Sequence, residues 1–458
     1  MAPLMFFGLV VFLLLGYPVA FSLAANGLLF ALIGSQMGFL GFEQLQALPD
    51  RVFGIMSNAT LLAIPFFTFM GLVLERSGMA EELLDSLGQL FGPIRGGLAY
   101  AVVLVGALLA ATTGVVAASV IAMGLISLPI MLRYGYDRRL ATGVIAASGT
   151  LAQIIPPSLV LIVLADQLGV SVGDMYRGAL VPALMLMGLY LAYVLTVSLA
   201  RPQAAPALPL SARTLHGRQL WIKALASMAP PLVLIFLVLG TIFLGIATPT
   251  EGGAMGAFGA LVLALARGRL NLDLLRQAMD STARLTSFVL FILIGSTVFS
   301  LVFQLLDGDT WVEGLLTALP GGELGFLIAV NLLVFGLAFF LDFFEIAFII
   351  VPLLAPVAEK LGIDLVWFGV LLGINMQTSF MHPPFGFSLF YLRSVAPKAV
   401  KTTDIYWGAI PFVMIQVLMV VVVMNFPGLV MRERAPEKSA PVEFHLEVPD
   451  PGYLPPGL

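Results

Sequence analysis

The sequence contains no cysteine. Disulfides and thiolate-held metals are therefore unavailable, and redox habit says nothing about compartment. Charge is scarce too: charged residues make up 10% of the chain, against about a quarter in a soluble domain. The three histidines, His216, His382 and His445, are scattered and form no His-Glu-x-x-His pattern, so the common zinc-hydrolase arrangement is missing. No glycine-rich phosphate loop ends in Lys-Ser/Thr, which argues against a chain that hydrolyses ATP itself. No apolar run carries the row of basic residues a voltage sensor needs. The formal charge of −4 sits in loops. No enzyme activity, cofactor or nucleic-acid partner is expected, and no metal held by thiolates or a histidine cluster.

What the chain has instead is apolar length. Hydrophobic residues make up 60%, in repeated runs near the roughly 20 residues that cross a bilayer. The fold class is an all-α polytopic membrane protein. The first apolar run lacks the basic n-region of a signal peptide and reads as a retained span.

Residues 364–394 organise the rest. They are apolar enough to cross a membrane, yet carry Asn375, Gln377, Thr378, Ser379 and His382, followed by Pro383-Pro384. Proline removes a backbone donor and blocks the helix behind it. In hydrocarbon a broken span survives only where protein buries it or where it lines a wet cavity. Residues 138–165 repeat the plan with Ser148, Gly149, Thr150, Gln153 and Pro156-Pro157-Ser158. A shift of 227 residues carries Pro156-Pro157 onto Pro383-Pro384, Gly135 onto Gly362 and Pro129 onto Pro356. The chain is an internal repeat.

Between these spans lie two longer apolar runs, 97–133 and 322–357. The first would be about 55 Å as one helix, against a hydrocarbon core of roughly 30 Å. Its centre, Ala111-Thr112-Thr113-Gly114, suits the tip of a re-entrant hairpin. Arg95 precedes it and Arg133, Arg138 and Arg139 follow, so both ends are expected in the cytoplasm. The second run lacks that arginine cluster, having Glu323 before it and Glu359, Lys360 and Asp364 after it. It reads as a hairpin opening outward. The expected organisation is a first inverted repeat over 1–200, a cytoplasmic linker at 201–220, a second inverted repeat over 221–432, and a disordered tail at 433–458. Ten spans and two hairpins put both termini outside. Residues 79–92 alternate at helical spacing and read as an interfacial helix; a span is expected at 283–305.

Inverted halves with paired hairpins and broken spans mark a transporter. Ends of broken helices offer carbonyls to a cation, and hydroxyls and amides complete its oxygen shell. The sodium candidates are Thr112, Thr113, Gly114, Ser148, Gly149, Thr150, Asp342, Gln377, Thr378 and Ser379. Ser119, Gln153, Ser158, Asn375 and His382 are the candidates for substrate. Singly, a Ser, Thr or Gly serves close helix packing as readily as it serves a site; their clustering at the breaks favours function. Asp342 and Glu345 lie at i and i+3 on one helical face of the second hairpin, and charge inside a membrane is a functional hypothesis by default. Glu345 reads equally as protonated or near the outer surface. His382 is read as hydrogen-bonded to a carbonyl freed beside Pro383, ahead of a proton relay. Glu251, after a proline at a membrane face, reads as solvated.

The stretches ATTGVVAASVIAMGLISLPIMLRYGYDRRLATGVIAASGTLAQIIPPS and FFLDFFEIAFIIVPLLAPVAEKLGIDLVWFGVLLGINMQTSFMHPPFGFSLFYLRS resemble the large membrane subunit of tripartite ATP-independent periplasmic (TRAP) transporters. NATLLAIPFFTFMG and GIATPTEGGAMGAFGAL are similar to the same family, and the wording of the second block looks most like its mannitol/chloroaromatic or 2-oxo-acid branch. The resemblance implies a Na⁺-driven elevator importer in a bacterial inner membrane. It also implies a periplasmic substrate-binding protein that delivers an organic acid, and a small membrane subunit, expected as a separate chain. The family often has a Ser-Gly-Ser-type first tip where this chain has Thr112-Thr113-Gly114. A stand-alone sodium or proton symporter of the related ion-transporter superfamily is the alternative. A membrane enzyme using Asp342, Glu345 and His382, or a structural scaffold, are readings of other classes.

Overall fold

The structure is a computed structural model and describes residues 1–215 and 217–431. The tail at 433–458 and His216 lie outside the described residues. Within them the chain forms twenty α-helices and no strand. In order, α1 (Ala2–Leu14), α2 (Val19–Gln36), α3 (Ala47–Met56), α4 (Ala63–Arg76) and α5 (Met79–Phe91) lead to α6 (Gly97–Thr113) and α7 (Val116–Arg133). Next come α8 (Arg138–Thr150), α9 (Leu159–Leu168) and α10 (Val172–Ala200). The second half holds α11 (Gly217–Phe243), α12 (Pro249–Ala266), α13 (Leu272–Leu305), α14 (Gly308–Thr317) and α15 (Gly322–Leu337). It ends with α16 (Phe343–Ile349), α17 (Val351–Lys360), α18 (Leu365–Met376), α19 (Phe387–Val395) and α20 (Thr402–Asn425).

Among the described residues, seven helices are long and apolar enough to cross a membrane alone. One of these is α7. It turns back on α6 at Gly114, whose φ of +58° suits glycine. The outer ends of this hairpin meet: the Gly96 amide donates to the Ala205 carbonyl and the Asp137 amide to that of Ala204, both at 2.9 Å. The Leu98 amide also reaches the Tyr136 hydroxyl at 3.1 Å. The ends of α15 and α17 likewise gather at α14, where Lys360 pairs with Glu313, and α14 bends by 116° into α15.

The two broken spans are built alike. In each, a glycine with positive φ (Gly135 at 81°, Gly362 at 76°) ends the preceding helix. Two residues on, an aspartate caps the next one. Asp137 accepts from the Arg139 and Leu140 amides at 3.0 Å, and Asp364 from the Trp367 amide at 2.9 Å. Helices α8 and α18 then tighten into a 3₁₀ turn, Leu151–Gln153 and Gln377–Phe380. A cis Pro-Pro follows in both, before α9 and α19.

Sidedness follows from contacts along the helices. Arg76 at the end of α4 meets Gln277 near the start of α13, whereas Asn58, just before α4, bonds Asp166 at the end of α9 at 2.6 Å. The first face collects Arg95, Arg133, Arg138, Arg139, Arg201, Arg267 and Lys401; the other holds only Arg51, Arg177 and Lys360 among the described residues. Under the positive-inside rule, a face rich in arginine is the cytoplasmic one. Helix α13 starts eleven residues before the expected span, because Asn271 caps it at 2.8 Å and its polar first turns stay helical outside the hydrocarbon.

Packing divides the helices into two groups. Helices α1, α2, α4, α11, α12 and α13 pack mainly on one another, while α6 to α10 pack with α15 and with α17 to α20. Between helices in lipid there is little hydrophobic drive, so close contact must hold them. A Cβ on Gly143 of α8 would lie 2.1 Å from the Gly408 carbonyl of α20, and one on Gly408 would lie 2.2 Å from that of Arg139. Helix α5 bridges the groups, packing on α6 and pairing Asp85 with Lys223 of α11 at 2.7 Å and Glu82 with Arg267 just past α12.

Candidate functional site

The first hairpin tip and the first broken span meet. Gly114 packs against Leu159 and the Pro157 carbonyl, just past the Pro-Pro turn. The hairpin arms clamp the end of α8 at backbone range: Gly106 of α6 sits on Ser148, and Gly149 on Val120 of α7. This brings Thr112, Gly114, Ser119, Ser148, Gly149 and Thr150 into one buried region. Of Thr113 only the backbone is described. The side-chain hydroxyls donate backward along their helices, Thr112 to Leu109 at 2.9 Å, Ser148 to Val144 at 2.6 Å and Thr150 to Ala147 at 2.8 Å. The oxygen lone pairs of Thr112 and Ser148 stay available to accept, or to ligate a cation, while Thr150 already accepts from Gln416.

In the second half Thr378 donates to Asn375 at 2.7 Å and Ser379 to Met376 at 2.6 Å. The Asn375 amide is held by Asn331 of α15, at 2.8 Å to its carbonyl and 3.0 Å to its side chain. The halves join where α9 packs on α18, Gly373 lying against Leu161, Leu164 and Ile154.

Two glutamines set the breaks apart from ordinary core. Gln153 and Gln377 are fully buried, and neither nitrogen nor oxygen of either amide makes a hydrogen bond within the protein. Such an arrangement costs about 1–3 kcal/mol per group unless a ligand, ion or water supplies the partner. His382 is also buried. Its ring packs on Phe339 at 4.2 Å and against Phe335 at 4.3 Å. One ring nitrogen approaches the Ala338 backbone, but neither completes a bond of good geometry. The carbonyls beside Pro383 are not its partners; aromatic faces hold the ring. Ser158 caps α9, accepting from Leu161 at 3.4 Å and donating to the Gln153 carbonyl.

Asp342 and Glu345 take a role that helical spacing does not reveal. Asp342 is the N-cap of α16 and accepts from the Glu345 amide at 3.0 Å, while the Glu345 carboxylate accepts from the Asp342 amide at 3.0 Å. This capping box satisfies the donors that a helix starting inside a membrane would leave bare. Glu251, by contrast, is exposed and boxes with Thr248 at the start of α12.

Three residues escaped the sequence reading. Gln416 of α20 donates to Thr150 at 3.3 Å and to the Tyr190 hydroxyl of α10 at 3.0 Å, closing a buried network behind the first break. Asn331 does similar work behind the second. Gln416 and Asn331 are each a lone polar side chain amid an apolar helix, which is a readable signal; Tyr190 carries none.

The oxygens gathered here are neutral hydroxyls, amides and carbonyls. Among the described residues no three of His, Asp and Glu come together as a metal cluster, and no Lys or Arg is buried. The arrangement suits a weakly held alkali cation better than zinc or calcium. It offers an anion half-helix N-termini, those of α9 and α19, in place of a basic side chain.

The profile of the family described as the tripartite ATP-independent periplasmic transporter, DctM component, matches residues 6–429. The chain is 31% identical over 389 residues to a C4-dicarboxylate TRAP transporter large permease protein of Pseudomonas aeruginosa, covering 84% of this chain and 89% of that one. It is 28% identical over 439 residues to a 2,3-diketo-L-gulonate TRAP transporter large permease protein of Escherichia coli, covering 94% and 98%. The fold is similar to the crystal structure of the Alcanivorax borkumensis YdaH transporter, with a TM-score of 0.61 at 17% identity over 85% of this chain and 90% of that one.

Proposed function

The chain belongs to the DctM family of tripartite ATP-independent periplasmic transporters, and on that premise we propose that this large permease subunit imports a small organic acid together with sodium ions. It is a multi-pass protein of the bacterial inner membrane, a permease and not an enzyme. A tripartite system pairs it with a small membrane subunit and a periplasmic binding protein. That relatives are named for a dicarboxylate and a diketo-gulonate supports a carboxylate as cargo.

The observation that carries the reading is the pair of buried glutamines without internal partners, one at each break. Gln377, Thr378 and Ser379 would ligate one sodium ion with the second tip; Ser148, Gly149 and Thr150 would hold another with Thr112, Thr113 and Gly114. Asp342 would lend charge from the cap it occupies. Ser119, Gln153, Ser158, Asn375 and His382 would face the acid. Charge balance supports coupling. A carboxylate entering a region without buried Lys or Arg needs a counter-charge, because an unpaired ion in low dielectric is costly. Sodium would supply it.

The division of packing supports an elevator. The moving body would be the hairpins and broken spans with α10 and α20, whose contacts tie them to it, and α1, α2, α4, α11, α12 and α13 would be the frame. The test is uptake of radiolabelled C4-dicarboxylates and 2-oxo acids into proteoliposomes holding the complete transporter, in sodium and in potassium. Uptake only with sodium is expected. Equal rates in both defeat sodium coupling, and uptake by this subunit alone moves the chain to the stand-alone symporters.

A further inference from the structure

A second polar region lies away from the breaks, on the cytoplasmic rim. Where the start of α8, the end of α10 and the start of α20 converge, a cleft of about 820 Å³ opens. Arg138, Arg139 and Arg201 line it, with Tyr193 and Trp407 among its walls. All three arginines are exposed, and among the described residues none of their guanidinium groups forms an ion pair. The two acids in the lining face other duties. Asp137 accepts from two backbone amides at 3.0 Å, and Asp404 from the Lys401 amide at 3.1 Å. With three arginines against two aspartates, the lining keeps a net charge of +1.

Its flanks are apolar. Leu195 and Leu199 of α10 and Trp407 and Met414 of α20 are exposed, at 49%, 71%, 59% and 62%. On a span these are lipid-facing surfaces, and Trp and Tyr favour the headgroup level. A soluble anion would use the arginines and leave the stripe bare. A phospholipid uses both, with its phosphate in the cleft and its acyl chains along α10 and α20. We propose that this cleft binds the headgroup of an anionic phospholipid of the inner leaflet. The chemistry is that of basic pockets between transmembrane helices on the cytoplasmic side, with arginine suited to phosphate oxygens. The site depends on neither sodium coupling nor an elevator motion.

The full-length subunit, in detergent, is titrated with phosphatidylglycerol or with phosphatidylcholine of the same acyl chains and examined by native mass spectrometry. Phosphatidylglycerol is expected to stay bound and phosphatidylcholine to be lost. Replacing Arg138, Arg139 and Arg201 together by Gln should weaken phosphatidylglycerol about 100-fold, from roughly fivefold per basic residue at an anionic surface. Arg276→Gln, on the same face but outside the cleft, should change nothing. If the triple variant fails to fold, Arg201→Gln alone serves, with about a fivefold loss. Equal retention of the two lipids overturns the proposal, and so does unchanged retention by the arginine variants. Displacement of the lipid by millimolar inorganic phosphate also overturns it, assigning the cleft to a free anion.

Discussion

The two broken spans share a frame and differ in content. Gly135 and Gly362, Asp137 and Asp364, and the two cis Pro-Pro pairs coincide under one shift of 227 residues. The side chains between them do not. Ser148 stands opposite Asn375, Thr150 opposite Gln377, Gln153 opposite Phe380, Ile155 opposite His382 and Ser158 opposite Phe385. The first break is small and hydroxylic, closed from behind by Gln416 and Tyr190. The second is amide-rich and ringed by Phe335, Phe339 and Phe343. What breaks a helix in lipid is constrained by the backbone and kept in both copies; what lines the break is free to diverge. On the proposed reading, both breaks hold ions, and the aromatic one also grips the carbon skeleton of the acid.

Packing shows the same asymmetry, and there the largest effect is expected. Gly143 lets α8 touch α20 backbone to backbone, whereas a Cβ on Gly178 of α10 would lie 3.6 Å from the side chain of its counterpart Val370. Gly143→Val forces a branched side chain into the Gly408 carbonyl and is expected to destabilise by more than about 3 kcal/mol. No monodisperse protein should survive fluorescence-detected size exclusion. Val370→Ala removes only methyl groups and should lower stability by about 2 kcal/mol, leaving a measurable melt. Equal damage from the two would mean that the halves are packed alike.

A middle-sized effect separates ligand-facing amides from structural ones. Gln377→Leu and Gln153→Leu remove no internal hydrogen bond, so neither should lower the melting temperature. Gln377→Leu should raise the half-saturating sodium concentration about tenfold, one ligand being worth about 1.4 kcal/mol. Gln153→Leu should raise KM for the acid instead. Gln416→Leu breaks two bonds and should destabilise by about 1–2 kcal/mol. If Gln377→Leu melts early while sodium dependence is unmoved, the glutamine is core and the ion lies elsewhere.

Much of this architecture could be read before any coordinates, for a physical reason. Hydrocarbon forbids unpaired backbone, so the positions of Pro and Gly reveal spans and breaks. The hairpin at Gly114 followed from a run too long to cross once and flanked by arginine at both ends. Partners across helices were harder to see. The 191-residue gap between Thr250 and the Ala59 carbonyl it bonds, or the 266 between Gln416 and Thr150, leaves no periodic trace. Asp342 and Glu345 were misleading because i and i+3 also describes a capping box. Only the backbone angles of Asp342, with ψ at 176°, place it before the helix instead of on its face.

That last pair supplies the finest discrimination. The first tip has Val115 where the second has Asp342, so a side-chain cap at a hairpin tip is not obligatory, and the carboxylate serves either geometry or charge. Asp342→Asn keeps an oxygen for the Glu345 amide, and asparagine caps about as well as aspartate. Asp342→Ala removes the acceptor and should destabilise by about 1 kcal/mol. If Asp342 only caps, the Asn variant transports with unchanged sodium dependence and the Ala variant loses stability alone. If its charge also steadies sodium, both variants raise the half-saturating sodium concentration, and Asn does so without lowering the melting temperature. The proposed function requires the second pattern. The first would confine the ion to neutral oxygens and make the two breaks more alike than their sequences are.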